Sequence, residues 1–150
     1  MPNWKEVLDE ISDISKQGSQ ALDVVRRKYL NEIHEYTGRN VIAYYSGWLQ
    51  RPGSADAAVN DKDISGFMLN IHKMDREKGL DLILHTPGGN LAATEALVNY
   101  LKSMFGDNIR AIVPQISMSA GTMIALSCSS IVMVKHSSLG PIDPQMGNMP

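Results

Sequence analysis

The chain has 150 residues, is 43% apolar and carries a formal net charge of −2. That length suits one domain with a real core, and the composition excludes a disordered or fibrous chain. No basic stripe offsets the acids, so nothing predicts nucleic-acid binding, and Arg26-Arg27-Lys28 reads as a solvated helix face.

Cys128 is the only cysteine, which rules out an intramolecular disulfide and fits a reducing compartment. Its apolar neighbours Ile124-Ala125-Leu126 mark it as a buried structural thiol. The opening Met1-Pro2-Asn3-Trp4-Lys5-Glu6 lacks the charged-then-apolar order of a signal peptide. No run approaches the ~20 apolar residues that span a bilayer. A cytoplasmic protein without a transmembrane segment is expected.

Residues 3–36 read as helical. Trp4, Val7, Leu8, Ile11 and Ile14 recur at helical spacing behind a capping Asn3. Gly18-Ser19 interrupts, Leu22, Val25, Tyr29 and Ile33 resume the period, and Gly38 stops it. Val41–Tyr45 follows as a strand, and Gln50 to Ala58, with Pro52, Gly53 and Ser54, as a loop. Asp61 or Asp63 is placed to cap a helix carrying Ile64, Phe67, Met68 and Ile71 and ending near Gly79. Leu80–His85 is a strand with a continuous apolar run, as expected when both sheet faces are covered. Leu91–Phe105 reads as a helix, Ile109–Val113 as a strand, Ala120–Cys128 as a helix and Ile131–Val134 as a strand. Strands alternating with helices predict an α/β fold with parallel crossovers. The boundaries expected are a helical segment over 1–38 and an α/β domain over 39–150.

Two short segments carry the chemistry. The strand Leu82-Ile83-Leu84-His85 stops at Thr86-Pro87-Gly88-Gly89, and Ser117-Met118-Ser119-Ala120-Gly121-Thr122 opens an apolar helix. Gly88-Gly89 either forms a strand-to-helix turn or offers unshielded N–H groups to a substrate carbonyl. Ser119 either caps the helix or acts as a nucleophile at its positive end. Ser117 and Thr122 are competing hydroxyls, and the Gly-x-Ser-x-Gly elbow is absent because Ser117 replaces its first glycine. No phosphate loop or dinucleotide fingerprint is present, no histidine pair has metal-ligand spacing, and neither cofactor nor metal is expected.

Taken together, Thr86-Pro87-Gly88-Gly89, Ser119-Ala120-Gly121 and Leu139-Gly140-Pro141-Ile142-Asp143-Pro144-Gln145 resemble the Clp protease/crotonase superfamily. The likeness is nearest to the serine dehydrogenase proteinases, relatives of signal peptide peptidase A. It is specific over residues 80–147. The resemblance implies a Clp/crotonase-like spiral of parallel βαβ units and a serine peptidase that hydrolyses peptide bonds through an acyl-enzyme. It implies Ser119 as nucleophile, Gly89 and Ala120 N–H groups as oxyanion hole, and Gly88 shaping that hole. It also implies a homo-oligomer acting on peptide or protein substrates.

The proton acceptor is the gap. The Clp subunit's histidine would fall near Ile142 or Asp143, and neither is His. The lysine of signal peptide peptidases would fall beyond Pro150, which makes the domain C-terminally incomplete. His85, Lys135, His136 and Asp143 are the remaining candidates for base or cleft residues, while His34 and His72 read as surface positions. The alternatives are an acyl-CoA hydratase or isomerase using the same hole for a thioester enolate, or a catalytically silent oligomeric scaffold.

Overall fold

The computed structural model describes residues 2–16, 18, 20–49, 53–54 and 57–143. Ser19, Gln50, Pro52, Pro144 and Gln145, all read above as loop positions, lie outside the described residues. The elements in chain order are α1 (Trp4–Ser15), α2 (Ala21–Thr37), β1 (Asn40–Tyr45), α3 (Asp63–Ile71), β2 (Leu80–His85), α4 (Leu91–Phe105), β3 (Ile109–Val113), β4 (Ile116–Ser117), α5 (Ala120–Ser127), β5 (Ser130–Met133) and β6 (Ser138–Leu139).

Local chemistry explains the leading helices. Asn3 Oδ1 accepts the Glu6 N–H at 3.0 Å, and Glu6 Oε2 accepts the Asn3 N–H at 2.8 Å, a complete capping box. At the far end of α2, Gly38 adopts φ +69 and donates its N–H to the His34 carbonyl at 2.8 Å. The Glu10 carboxylate ties the pair, taking Lys28 Nζ at 2.7 Å and the Tyr29 hydroxyl at 2.9 Å. α2 packs beside β1, whereas α1 buries no residue fully and leaves Trp4 73% exposed.

The chain is a mixed α/β protein built on a parallel sheet in the order β1-β2-β3-β5. Strand residues alternate between faces, and the core lies on the face that carries Leu80, Leu82, Leu84, Ile109, Ala111 and Val113. There they meet Phe67 and Ile71 of α3, Leu97, Leu101 and Phe105 of α4, and Ile124 and Ala125 of α5. The opposite face is covered less completely. Ile83, His85 and Ile112 are only half-buried, and Ala43 and Tyr45 are exposed. The expectation of two covered faces therefore holds for one face only among the described residues. A run of apolar residues does not report whether a layer is complete.

Several boundaries differ from expectation, β1 starting one residue earlier at Asn40 and α5 ending one residue earlier at Ser127. α3 ends at Ile71, its last fully buried residue, and a separate 3₁₀ turn, Arg76–Lys78, precedes Gly79. Neither Asp61 nor Asp63 caps α3. Asp63 is its first residue, and its Oδ2 accepts the Asn60 N–H and the Tyr44 hydroxyl, each at 2.8 Å. The last predicted strand runs one residue earlier, Ser130–Met133. The two-residue strands β4 and β6, which pair in parallel as a second small sheet, are too short to show a periodicity.

At the N-terminal end of β2 a carboxylate is buried completely. Asp81 is 0% exposed and accepts Arg39 Nε at 2.6 Å, Arg110 Nε at 3.0 Å and Arg110 Nη2 at 2.5 Å. Arg39 also donates to the Leu80 and Asn108 carbonyls, so the network stitches the start of β2 to the loop before β3. The Asp81 carboxylate raises the pKa of Arg110, chiefly by hydrogen bonding. Asp81→Ala leaves two guanidinium groups without their shared acceptor. Both are partly solvated, so the expected cost lies at about 2–3 kcal/mol, below the range for a fully buried pair. Urea denaturation measures it, and a loss under about 1 kcal/mol would contradict the assignment.

Candidate active site

Backbone pairing brings the two glycine-containing segments together. Just past β2, Thr86 forms an isolated parallel bridge with Ser117 of β4. The Met118 N–H donates to the Thr86 carbonyl at 2.9 Å, and the Thr86 N–H to the Ile116 carbonyl at 3.4 Å. The chain thereby leaves the main sheet and joins the small one, delivering Gly88 onto the turn that carries Ser119. A Cβ at Gly88 would lie 2.7 Å from Ser119 Cβ and 2.8 Å from the Met118 carbonyl oxygen, and its φ is +102. Only glycine fits there without displacement.

Gly89 is held from the other side. It bridges in parallel with Val59, whose N–H donates to the Gly88 carbonyl at 2.8 Å and whose carbonyl accepts the Asn90 N–H at 2.9 Å. In such a bridge the intervening residue turns its own N–H away from the partner strand. The Gly89 N–H accordingly finds no acceptor among the described residues, whereas the Gly88 N–H is held by Thr86 Oγ1 at 3.2 Å. Val59 is fixed in turn by Asp63, which anchors the neighbouring Asn60 and the Tyr44 hydroxyl. The Tyr44 ring packs on the cluster of Val59, Ala93 and Ala120.

Ser119 is the one non-glycine residue with a positive φ among the described residues, at φ 47 and ψ −115. It sits in a turn closed by the Gly121 N–H on the Met118 carbonyl at 2.8 Å. Such strain, of order 1–3 kcal/mol, puts a side chain at the crest of a strand-to-helix turn. The elbow geometry thus arises without the expected first glycine. The Ser119 hydroxyl makes no capping bond to α5, so a capping role does not account for it. Ala120 starts α5, and its N–H also lacks an acceptor among the described residues.

The competing hydroxyls separate cleanly. Thr122 Oγ1 donates its proton between the Ser117 carbonyl at 2.7 Å and the Gly140 carbonyl at 3.0 Å, and accepts the Gly140 N–H at 3.1 Å. Ser117 is 0% exposed, and its Oγ, wedged against Gly121, has no hydrogen-bond partner among the described residues. Ser119 alone of the three lines a cleft, of about 430 Å³. Gly89, Ser119 and Ala120 form one end of it, Leu91, Met123 and Ile142 its apolar walls, and the exposed Asp143 its rim.

The structure does not gather the other candidates. His85 faces the open side of the sheet, stacked between Tyr45 at 6.0 Å and Trp48 at 6.4 Å between ring centroids, in a separate groove with Arg26 and Ile83. Lys135 and His136 are exposed beyond β5 and do not line the Ser119 cleft. His34 Nδ1 lies 2.6 Å from the Arg39 carbonyl, a structural contact. Cys128 lies against the Ile124 carbonyl, and burial pushes its thiol pKa up, which leaves it a poor nucleophile. No histidine or lysine among the described residues lines the Ser119 cleft. Thr86 and Thr122 support the site from within the two motif segments, whereas Val59 supports it from outside them. The only trace of Val59 is an apolar residue inside a polar loop.

Ser117→Ala removes a hydroxyl without a partner among the described residues, so stability is expected to stay within about 1 kcal/mol of the parent or to rise. Gly88→Ala must displace the Ser119 turn and accept a strained φ, with an expected loss of about 3 kcal/mol or more. Urea titrations of both variants check the pair. A loss above about 2 kcal/mol for Ser117→Ala would mean its hydroxyl has a partner.

Comparison with known proteins places the chain in a family. Over 92 residues, the chain is 39% identical to one uncharacterised protein of Methanocaldococcus jannaschii and 42% identical to another. Each match covers 61% of this chain, and 32% and 31% of the respective relatives, so the chain spans about a third of the length of the curated relatives it matches. A family model described as ClpP-like SDH-type serine proteinase matches residues 16–150, and the chain belongs to that family.

Proposed function

We propose that this chain is the core of a serine endopeptidase that acts through an acyl-enzyme at Ser119. The carrying observation is the strained turn that holds the Ser119 hydroxyl at one end of a cleft, with that hydroxyl and the Gly89 and Ala120 N–H groups unbonded among the described residues. Ser119 Oγ attacks the substrate carbonyl carbon and gives its proton to a base. The carbonyl oxygen, now negative, takes the Gly89 and Ala120 N–H groups as donors, helped by the positive ends of α4 and α5. The amine leaves with the proton, and water then hydrolyses the Ser119 ester. Gly88 shapes the hole by letting the two segments touch.

The base in this reading is a lysine beyond residue 150, forming a Ser–Lys dyad, since the cleft-lining residues offer neither imidazole nor amine. The two sheets are then successive turns of a Clp/crotonase-like spiral. Exposed Trp4 and Leu8 on α1 support assembly into a homo-oligomer, and the lone thiol supports a reducing, cytoplasmic setting. No described helix is long and apolar enough to cross a membrane.

A fluorophosphonate probe tests the nucleophile. Peptide mapping by mass spectrometry is expected to place the adduct on Ser119, with labelling lost in Ser119→Ala and kept in Ser117→Ala. Without its base, the 150-residue chain is expected to leave peptides essentially uncleaved, since an oxyanion hole alone leaves roughly 10³–10⁴-fold catalysis over water. Robust cleavage abolished by Ser119→Ala would place the base within residues 1–150, with His85, Lys135, His136 and Asp143 to be replaced first. An adduct on any residue but Ser119 would overturn the reading.

A further inference from the structure

Resting on the peptidase reading above, we propose that Asp143 is a specificity residue that selects a lysine or arginine side chain on the substrate. The cleft beside Ser119 is not uniformly apolar. Leu91, Met123 and Ile142 form walls suited to a chain of methylenes, and a single carboxylate, Asp143, stands where the walls meet solvent. A long basic side chain has this same division, an aliphatic stem and a cationic tip. Norleucine would fill the walls and leave the carboxylate unused, whereas glutamate would set like charge against it.

Asp143 makes no ion pair or hydrogen bond with any described residue. The cationic groups nearest in sequence point elsewhere: Lys135 and His136 are exposed beyond β5, outside the cleft, and Arg110 is held by Asp81. The carboxylate is therefore open to a cation arriving in the cleft. The cleft is continuous with Gly89 and Ala120. In this proposal the side chain it receives is that of the residue whose carbonyl is attacked.

The pair would be partly solvated, so the expected discrimination is modest, roughly five- to tenfold. Peptide boronic acids test it without requiring turnover, because boron accepts the Ser119 oxygen and becomes tetrahedral, releasing the hydroxyl proton to solvent. Three acetyl-dipeptide boronates, ending in the arginine, norleucine and glutamate analogues, are titrated into the 150-residue chain by calorimetry. Boron NMR identifies the tetrahedral adduct in each case. Expected is an affinity order of arginine over norleucine over glutamate, with the arginine-to-norleucine ratio falling to about one in Asp143→Asn and the glutamate analogue gaining in Asp143→Lys. Asp143 is exposed and without a described partner, so these variants are expected to fold. Equal affinities in the parent chain, or a ratio unmoved by Asp143→Asn, would overturn the proposal while leaving the nucleophile in place. Absence of any Ser119-dependent tetrahedral signal would overturn the peptidase reading and this proposal with it.

Discussion

Where the chain leaves β2, the Pro87–Gly88–Gly89 backbone passes between Val59 on one side and the Met118–Ser119 turn on the other. The gap is closer than any side chain would allow. This contact of backbone with backbone sets everything else in the site. It consumes the donors that face Val59 and Thr86 and leaves the Gly89 N–H directed away from both. Gly121 repeats the constraint one turn later, where a Cβ would collide with the Thr86 methyl and the Ser117 hydroxyl. The glycines are required here by clearance as much as by backbone angle.

The two ends of β2 perform different tasks. At its start, the Asp81 carboxylate and the guanidinium groups of Arg39 and Arg110 fasten β2 to the chain on either side. At its end, the pairing switches from the main sheet to the small sheet through the Thr86–Ser117 bridge. The strained backbone lies beyond β4, at Ser119, whose positive φ is held by the Met118–Gly121 turn and by Thr122 bridging Ser117 to Gly140. Small residues complete the arrangement, since Ala93 and Ala120 allow the starts of α4 and α5 to converge beside Val59.

Much of this was legible in residue order. The alternation of apolar strands with amphipathic helices predicts parallel crossovers, and parallel strands gather their C-terminal ends, so one cleft near Gly89 and Ser119 was foreseeable, although the Thr86–Ser117 bridge that joins the two segments was not. The caps at Asn3 and Gly38 are equally readable because each acts within one turn of chain. What could not be read depends on distant partners. Nothing near Ser117 or Thr122 says which hydroxyl is buried, because the answer comes from Gly140 and from the packing of Gly121. Asp63 looks like a helix cap until Tyr44 and Asn60 are seen to share its carboxylate. His85, next to the glycine motif in sequence, falls on the opposite sheet face because strand residues alternate.

In the proposed reaction the Gly89 and Ala120 N–H groups together bind the oxyanion formed at Ser119. Amide chemical shifts report this directly, because an N–H that gains a charged acceptor moves downfield. Nitrogen-15 spectra of the labelled chain, recorded with and without a saturating peptide boronate, compare every backbone amide at once. Gly89 and Ala120 are expected to show the two largest downfield shifts, Gly88 to move less because Thr86 already holds its N–H, and Ser119→Ala to abolish all three. Large shifts confined to other amides, with Gly89 and Ala120 unmoved while boron is bound to Ser119, would contradict this role.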